Sequence, residues 1–239
     1  MTYVSMHGEL LQTETLGLID YAQALGVQHD FVTARIENRM ADTLLICEHP
    51  PVVTCGRGVG AEEVSQLKST LQVPLIQVSR GGGVTAHEPG QLVIYPILKI
   101  QPHQLRHVLS ALEAAIAKSL RHLGLCPLTH LPGETGVWIP QPSGIMTKIA
   151  SIGLACKRWV TYHGLALNVC NDLQTFSKIN PCGLASNLMS SVWEQQQLLA
   201  AKMPNTPHHN PVDLMHTVTS HLIREISAEI QRLPLNPSD

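Results

Sequence analysis

A cysteine held between a proline and a glycine, Pro181-Cys182-Gly183, is the side chain in this sequence best suited to nucleophilic chemistry. The other cysteines, at 47, 55, 126, 156 and 170, read as small buried hydrophobes, whereas Cys182 falls in a loop that can expose its thiol. A free thiol with a reference pKa of roughly 8.5 is only a few per cent ionised at neutral pH, so such a nucleophile needs an activating neighbour. Lys148 is the foremost candidate. It stands at the head of the apolar stretch Ile149-Ala-Ser-Ile-Gly153, where burial lowers the cost of giving up its proton and its charge favours a thiolate. Spacing alone does not join residues 148 and 182, and a charged strand end is the ordinary alternative. His163 is the competing activator. Its small neighbours Gly164 and Ala166 suit a wall against an extended chain, and we read His163 as part of that wall rather than as the base.

Residues 80–96, Arg-Gly-Gly-Gly-Val-Thr-Ala-His-Glu-Pro-Gly-Gln-Leu-Val-Ile-Tyr-Pro, supply a second candidate surface. Gly81, Gly82 and Gly83 let a ligand approach the backbone, while Arg80, Thr85, His87 and Gln91 surround it with polar groups. The run lacks the GxGxxG and GxxxxGK[ST] spacings of phosphate cradles, and by itself it is equally a hairpin loop.

The elements that must hold these residues follow from periodicity. Thr15–Gln28 reads as a helix from Leu16, Ile19 and Leu25, and Leu44–Ile46, Val52–Thr54, Pro74–Val78 and Gln91–Tyr95 read as extended. Leu105, Leu109, Leu112, Ile116 and Leu120 mark a helix ending near Gly124. Short extended stretches at 135–139, 149–155 and 165–169 suggest an antiparallel meander. Ser191-Val-Trp-Glu194 has the form of a capping box, and Leu214, Val218, Leu222, Ile226 and Ile230 form one apolar helical stripe. The expected fold is α+β, one domain over 1–239 with a mixed, largely antiparallel sheet and flanking helices.

Composition narrows the function classes. The formal charge is −2 and basic residues are dispersed, which argues against a nucleic-acid surface. No apolar run is long enough to span a bilayer, and Met1–Glu14 carries no secretory pattern, so a cytoplasmic protein with reduced thiols is expected. No C-x-x-C pair is present, neither His49 nor the His208-His209 cluster has an H-x-x-x-H pair or carboxylates at a matching spacing, and no metal site is expected.

Three separated blocks share one order: Arg80–Tyr95, then Lys148–Gly153 with His163–Asn168, then Asn180–Leu184. Together with Glu48-His-Pro-Pro51 they resemble the octanoyltransferase family of lipoate biosynthesis, the lipoyl(octanoyl) transferases, over about 44–194, followed by a helical segment at about 191–231. The resemblance implies the fold shared with biotin and lipoate protein ligases and a Cys182–Lys148 dyad. It implies a substrate wall of Arg80, Gly81, Gly82, Gly83, Val84, Thr85, Ala86, His87, Ser151, Ile152, Gly153, Gly164, Leu165 and Ala166. The implied activity is octanoyl transfer from octanoyl-acyl carrier protein, through a Cys182 thioester, to a lysine of the lipoyl domains of 2-oxoacid dehydrogenase E2 subunits and the glycine cleavage H protein. No cofactor is implied, and a monomer is expected. An ATP-dependent lipoate ligase, a thiol hydrolase and a silent carrier-binding module are the alternatives. Two residues depart from the family pattern: Ala86 replaces a common aromatic residue and Glu88 a common glycine. Loss of the ring at Ala86 is expected to widen the acyl tunnel.

Overall fold

Apolar and β-branched stretches pair into a seven-stranded sheet, and a computed structural model describes residues 3–4, 10–129, 135–179, 188–202 and 210–233. The strands are β1 (Tyr3–Val4), β2 (Leu10–Leu18), β3 (Thr43–Glu48), β4 (Val52–Cys55), β5 (Leu75–Gln77), β6 (Val84–His87), β7 (Gln91–Ile97), β8 (Val137–Pro140), β9 (Met146–Lys157) and β10 (Val160–Asn168). The large sheet has the order β1-β2-β3-β7-β10-β9-β8, with β2 and β3 parallel and every other neighbour antiparallel. A small sheet, β5-β4-β6, stands apart from it. The expected meander is present as β8-β9-β10.

Helices α1 (Tyr21–Ile36), α2 (Ala61–Thr70), α3 (Leu105–Arg121), α4 (Val192–Lys202) and α5 (Pro211–Gln231) complete the described elements, with a short 3₁₀ turn at Phe176–Lys178. The stripe Val108, Leu112, Ala115, Ile116 and Leu120 of α3 packs with Leu214, Val218, Leu222, Ile226 and Ile230 of α5 on one face of the large sheet. Fully burying each leucine or isoleucine stabilises the fold by roughly 1.5–3 kcal/mol. The opposite face is covered by α1 through Ala24 and Val32, which meet Leu45, Cys47, Val93 and Tyr95. A third cluster, with Val53, Cys55, Val84, Ala86 and Phe176, lies under the small sheet.

Helix ends follow local chemistry. Gly124 at φ 78° lies just beyond α3, in a left-handed conformation that favours glycine. The capping box at α4 closes reciprocally: Glu194 N donates to Ser191 Oγ at 3.2 Å, and Ser191 N donates to Glu194 Oε2 at 3.1 Å. Asn210 caps α5 by accepting from Asp213 N at 3.0 Å, with Pro211 at its first turn.

The expected helix over Thr15–Gln28 is corrected in its first part. Thr15–Leu18 belongs to β2, which bulges at Gly17 (φ 66°) while running parallel to β3. The helix begins only after Asp20, whose carboxylate accepts from Ala22 N at 2.8 Å and Gln23 N at 3.2 Å. Leu16 and Ile19 pack beside α1 from this preceding segment, so a helix-like spacing arises from residues that are not helical. Among the described residues no helix is long and apolar enough to cross a membrane.

Candidate functional site

Arg80–Gly83 is stitched to two neighbours by its backbone. Gly81 N donates to Leu154 O of β9 at 3.1 Å, while Gly56 N and Gly58 N donate to Gly83 O and Gly82 O at 3.1 and 3.2 Å. Arg57 N donates to Arg80 O at 3.1 Å. The Arg80 side chain is buried, and its Nη2 donates to Thr54 O at 2.8 Å and Thr54 Oγ1 at 2.9 Å. Of the three consecutive glycines, Gly82 takes a positive φ, 84°. Close approach is decisive at Gly153, where a Cβ would lie 3.0 Å from both Arg80 Cδ and Gly81 O. Opposite it in the β9–β10 register sits Gly164, where a Cβ would meet Ile94 O at 2.1 Å.

The result is a cavity of about 830 Å³ between the small sheet, β9, β10 and α3. Its apolar side is supplied by Leu105, Leu109, Ile152, Leu154 and Leu165, and its polar side by Arg80, Thr85, His87, Lys148 and His163. The volume lies within the few hundred to ~1,000 Å³ typical of small-molecule sites.

Lys148, the third residue of β9, lines this cavity and is 3% exposed. Its Nζ lies 5.0 Å from the centre of the Trp138 ring, within range of a cation–π attraction. Room for the chain exists because residue 136 is glycine: a Cβ there would press on Lys148 Cε at 2.8 Å and Ala150 O at 2.4 Å. Gly136 N is held by Glu113 Oε1 of α3 at 2.9 Å. The backbone of Lys148 also reaches across to the chain beyond the Cys182 segment. Ser190 N donates to Lys148 O at 3.0 Å, beside a parallel bridge between Lys148 and Met189.

A buried polar network runs from the cavity to both flanks of that segment. His87 Nδ1 lies 2.7 Å from Gln91 Oε1, and Gln91 Nε2 donates to Asn168 Oδ1 at 3.0 Å and Ala86 O at 3.2 Å. The Gln91 oxygen is therefore an acceptor, so His87 is protonated at Nδ1 and keeps a lone pair at Nε2. Asn168 Nδ2 donates to Ser190 O at 3.0 Å. Asn171 Nδ2 donates to Glu88 Oε1 at 3.0 Å, and Thr175 N donates to Glu88 Oε2 at 2.9 Å. Glu88, itself buried, ties down the chain before residue 180, and Asn168 with Lys148 ties down the chain after 187.

The floor is aromatic. Tyr21 stacks on His87 with centroids 5.4 Å apart, and the His49 ring lies 5.5 Å from that of His87. His49 Nδ1 must donate to Ile19 O at 2.7 Å, a carbonyl being acceptor only, so Nε2 accepts from Tyr95 Oη, also at 2.7 Å. Burial holds these groups neutral. His87 is pushed down to about 3, chiefly by desolvation and then by its neighbour His49, and Tyr21 is pushed up to about 12 by burial. His163 is lowered to about 4 by burial and by Arg80, with Ser79 Oγ 3.1 Å from its Nε2 and Gln28 Oε1 2.8 Å from its backbone N.

The cavity thus gathers Arg80, Gly81, Gly82, Gly83, Val84, Thr85, His87, Lys148, Ser151, Ile152, Gly153, Gly164, Leu165 and Ala166. Ala86 is not among its lining residues. Alternation along β6 turns Ala86 into the cluster under the small sheet with Val53, Cys55 and Phe176, so the missing ring enlarges nothing in the cavity. Glu88 is a bonding post rather than part of the wall. Cys182 lies outside the described residues. The sequence reading did not include Tyr21, Tyr95, His103, Arg106 or Glu63, which also line the cavity. The block Glu48-His49 was a signal for its floor: His49 bonds Tyr95, and Glu48 Oε2 accepts from Gly90 N at 2.7 Å.

The chain whose mixed sheet carries this cavity, with a buried lysine and a glycine-rich wall in its lining, falls in a defined class. It belongs to the lipoyl protein ligase A/B catalytic domain family, whose model matches residues 20–204. Among its relatives is a protein of Pelobacter propionicus named octanoyltransferase, 42% identical over 179 residues, covering 74% of this chain and 81% of that protein. Another octanoyltransferase, of Nitratidesulfovibrio vulgaris, is 44% identical over 180 residues, covering 72% of this chain and 78% of the relative. Among solved structures, a putative lipoate protein ligase of T. acidophilum with bound lipoic acid superposes with a TM-score of 0.62 at 17% identity, covering 92% of this chain and 85% of the other. A lipoate-protein ligase A bound with ATP gives a TM-score of 0.60 at 16% identity, covering 92% and 84%. These two define the shared fold.

Proposed function

We propose that this protein is an octanoyltransferase that takes its acyl group from octanoyl-acyl carrier protein and passes it to a lysine of lipoyl domains, acting as a cytoplasmic monomer. The observation that carries the reading is Lys148, buried in the lining of an 830 Å³ cavity and bonded through its own backbone to the chain that follows the Cys182 segment. The Cys182 thiolate attacks the thioester carbonyl of the donor, a tetrahedral oxyanion forms, and the C–S bond to the carrier breaks. Lys148 supplies the proton that the departing carrier thiolate takes up. Backbone N–H groups of the surrounding loops stabilise the oxyanion. The amine of the acceptor lysine then attacks the enzyme-bound thioester, gives its proton to the now neutral Lys148, and expels Cys182 as a thiolate as the amide forms, which restores the starting pair. The apolar side from Leu105 to Leu165 holds the hydrocarbon chain. Both steps begin from a thioester, and no ATP is consumed.

Purified protein mixed with octanoyl-acyl carrier protein is expected to gain the mass of one octanoyl group, lost again when a lipoyl domain is added. Cys182→Ser should gain no hydroxylamine-labile adduct. An adduct on that variant, or transfer that requires ATP and free octanoate, would sink the proposal; the latter is the behaviour expected of a ligase.

A further inference from the structure

Resting on the proposed transfer, we infer that the corner formed by Lys99, Arg158 and Trp159 is the docking point for the acidic protein face of the acyl donor. A second pocket lies there, of about 390 Å³, lined by Arg35, Asn38, Lys99, Gln101, Arg158 and Trp159 among others. Arg35 is committed to a buried pair with Asp42 at 2.8 Å. The cations that the corner presents outward are Lys99, half-buried with its Nζ 2.6 Å from Asn38 Oδ1, and the exposed Lys157 and Arg158. Exposed Arg106 continues the positive edge to the large cavity, which it lines together with His103, whose ring contacts Trp159 at 6.3 Å. For a chain of net charge −2, this is a local reversal of sign that favours an acidic partner. The acidic groups near the corner are themselves engaged: Asp42 with Arg35, and Glu37 with Arg39.

Backbone conformation makes the corner more than a chance cluster. Arg158 and Trp159 are the two central residues of the β9–β10 hairpin, at φ 47° and 62°. Such a turn is easiest for Asn-Gly, and a bulky aromatic residue at positive φ is an outlier there. The chain nevertheless places an arginine and a tryptophan, 45% exposed, at its tip. Arginine and tryptophan are the side chains that most often anchor protein interfaces.

Position selects the donor over the acceptor. Along β9, the cavity runs from Lys148 to Leu154, and Arg158 stands four residues farther, so the corner lies about 30 Å from Lys148 at ~3.3 Å per residue. A carrier that presents its thioester on a long prosthetic arm can rest on the corner while the arm enters the cavity past His103, which meets Trp159, and Arg106. A lipoyl domain, whose lysine projects directly from its surface, must approach the reacting end itself.

The double substitution Arg158→Asn, Trp159→Gly gives the hairpin its preferred turn residues, so folding should be preserved and Tm should equal or exceed that of the unchanged protein. Binding of fluorescently labelled holo-acyl carrier protein by anisotropy should weaken about tenfold, and Arg158→Lys alone should recover most of the loss that Arg158→Asn alone produces. Binding of a lipoyl domain should change less than twofold. Unchanged carrier affinity, an equal loss for the lipoyl domain, or no carrier binding by the unchanged protein would each overturn the assignment. Failure of the transfer reading itself is distinguishable, since it would appear as absence of the octanoyl adduct on the unchanged protein whatever the variant binds.

Discussion

Acid should destabilise this protein well before its carboxylates titrate, because two histidines at the cavity are buried in their neutral form. His87 and His163 are lowered from 6.5 to about 3 and about 4. Below pH 6.5 each is protonated in the unfolded chain but not in the native one, so unfolding takes up protons and stability falls as pH falls toward the native values. Their contribution is complete above pH 6.5 and is lost progressively down to pH 3–4. Between pH 7 and pH 5 the two together remove about 3–4 kcal/mol, with a slope near pH 5 of roughly 2.5 kcal/mol per pH unit. That is a large share of a typical ~5–15 kcal/mol. Urea unfolding followed by circular dichroism at pH 7, 6 and 5 measures the change directly. His163→Asn, which tolerates the local φ of 55°, should remove about half of the slope whatever it does to stability at pH 7. A loss below ~1 kcal/mol by pH 5, or a slope indifferent to His163→Asn, would refute the claim that burial holds these rings neutral.

Glu88→Gln leaves one acceptor oxygen for two buried donors, Asn171 Nδ2 and Thr175 N, and should cost about 2–3 kcal/mol in chemical denaturation, with faster hydrogen exchange at Thr175. Gly164→Ala drives a methyl against Ile94 O and Pro96 Cδ, and should cost at least ~2 kcal/mol, whereas Gly26→Ala in α1, with open space at its Cβ, should raise stability by up to ~1 kcal/mol. Lys148→Met keeps the stem against Trp138 but removes the ammonium; acyl-adduct formation should fall at least ~100-fold while the circular dichroism spectrum is retained.

The α3 and α5 stripes and the β8-β9-β10 meander are legible in the sequence because each buries one face at a single period. The N-terminal segment is not, since a bulged strand and the following helix place Leu16, Ile19 and Leu25 at a spacing that either structure can produce. The side to which Ala86 points depends on the register of β6 against β4, which pairs it with Val53 and which composition does not reveal. Glu88 finds its partners 83 and 87 residues away, and the Tyr21–His49–His87 floor is assembled from three separated segments, so neither has a local signature. The strained Arg158-Trp159 turn is equally hidden, because it lacks the Asn-Gly signal by which such hairpins are read.

The alternation of β6 has a mutational consequence. Thr85 and His87 line the cavity, Ala86 packs beneath the small sheet, and Val84 takes part in both. Mutations at Thr85 and His87 alter the lining of the cavity, whereas those at Ala86 act through the packing that holds the small sheet. The cavity lining can therefore change at Thr85 without eroding the core, whereas Ile152 and Leu165 line the cavity and belong to the core at the same time, so a change at either acts on both.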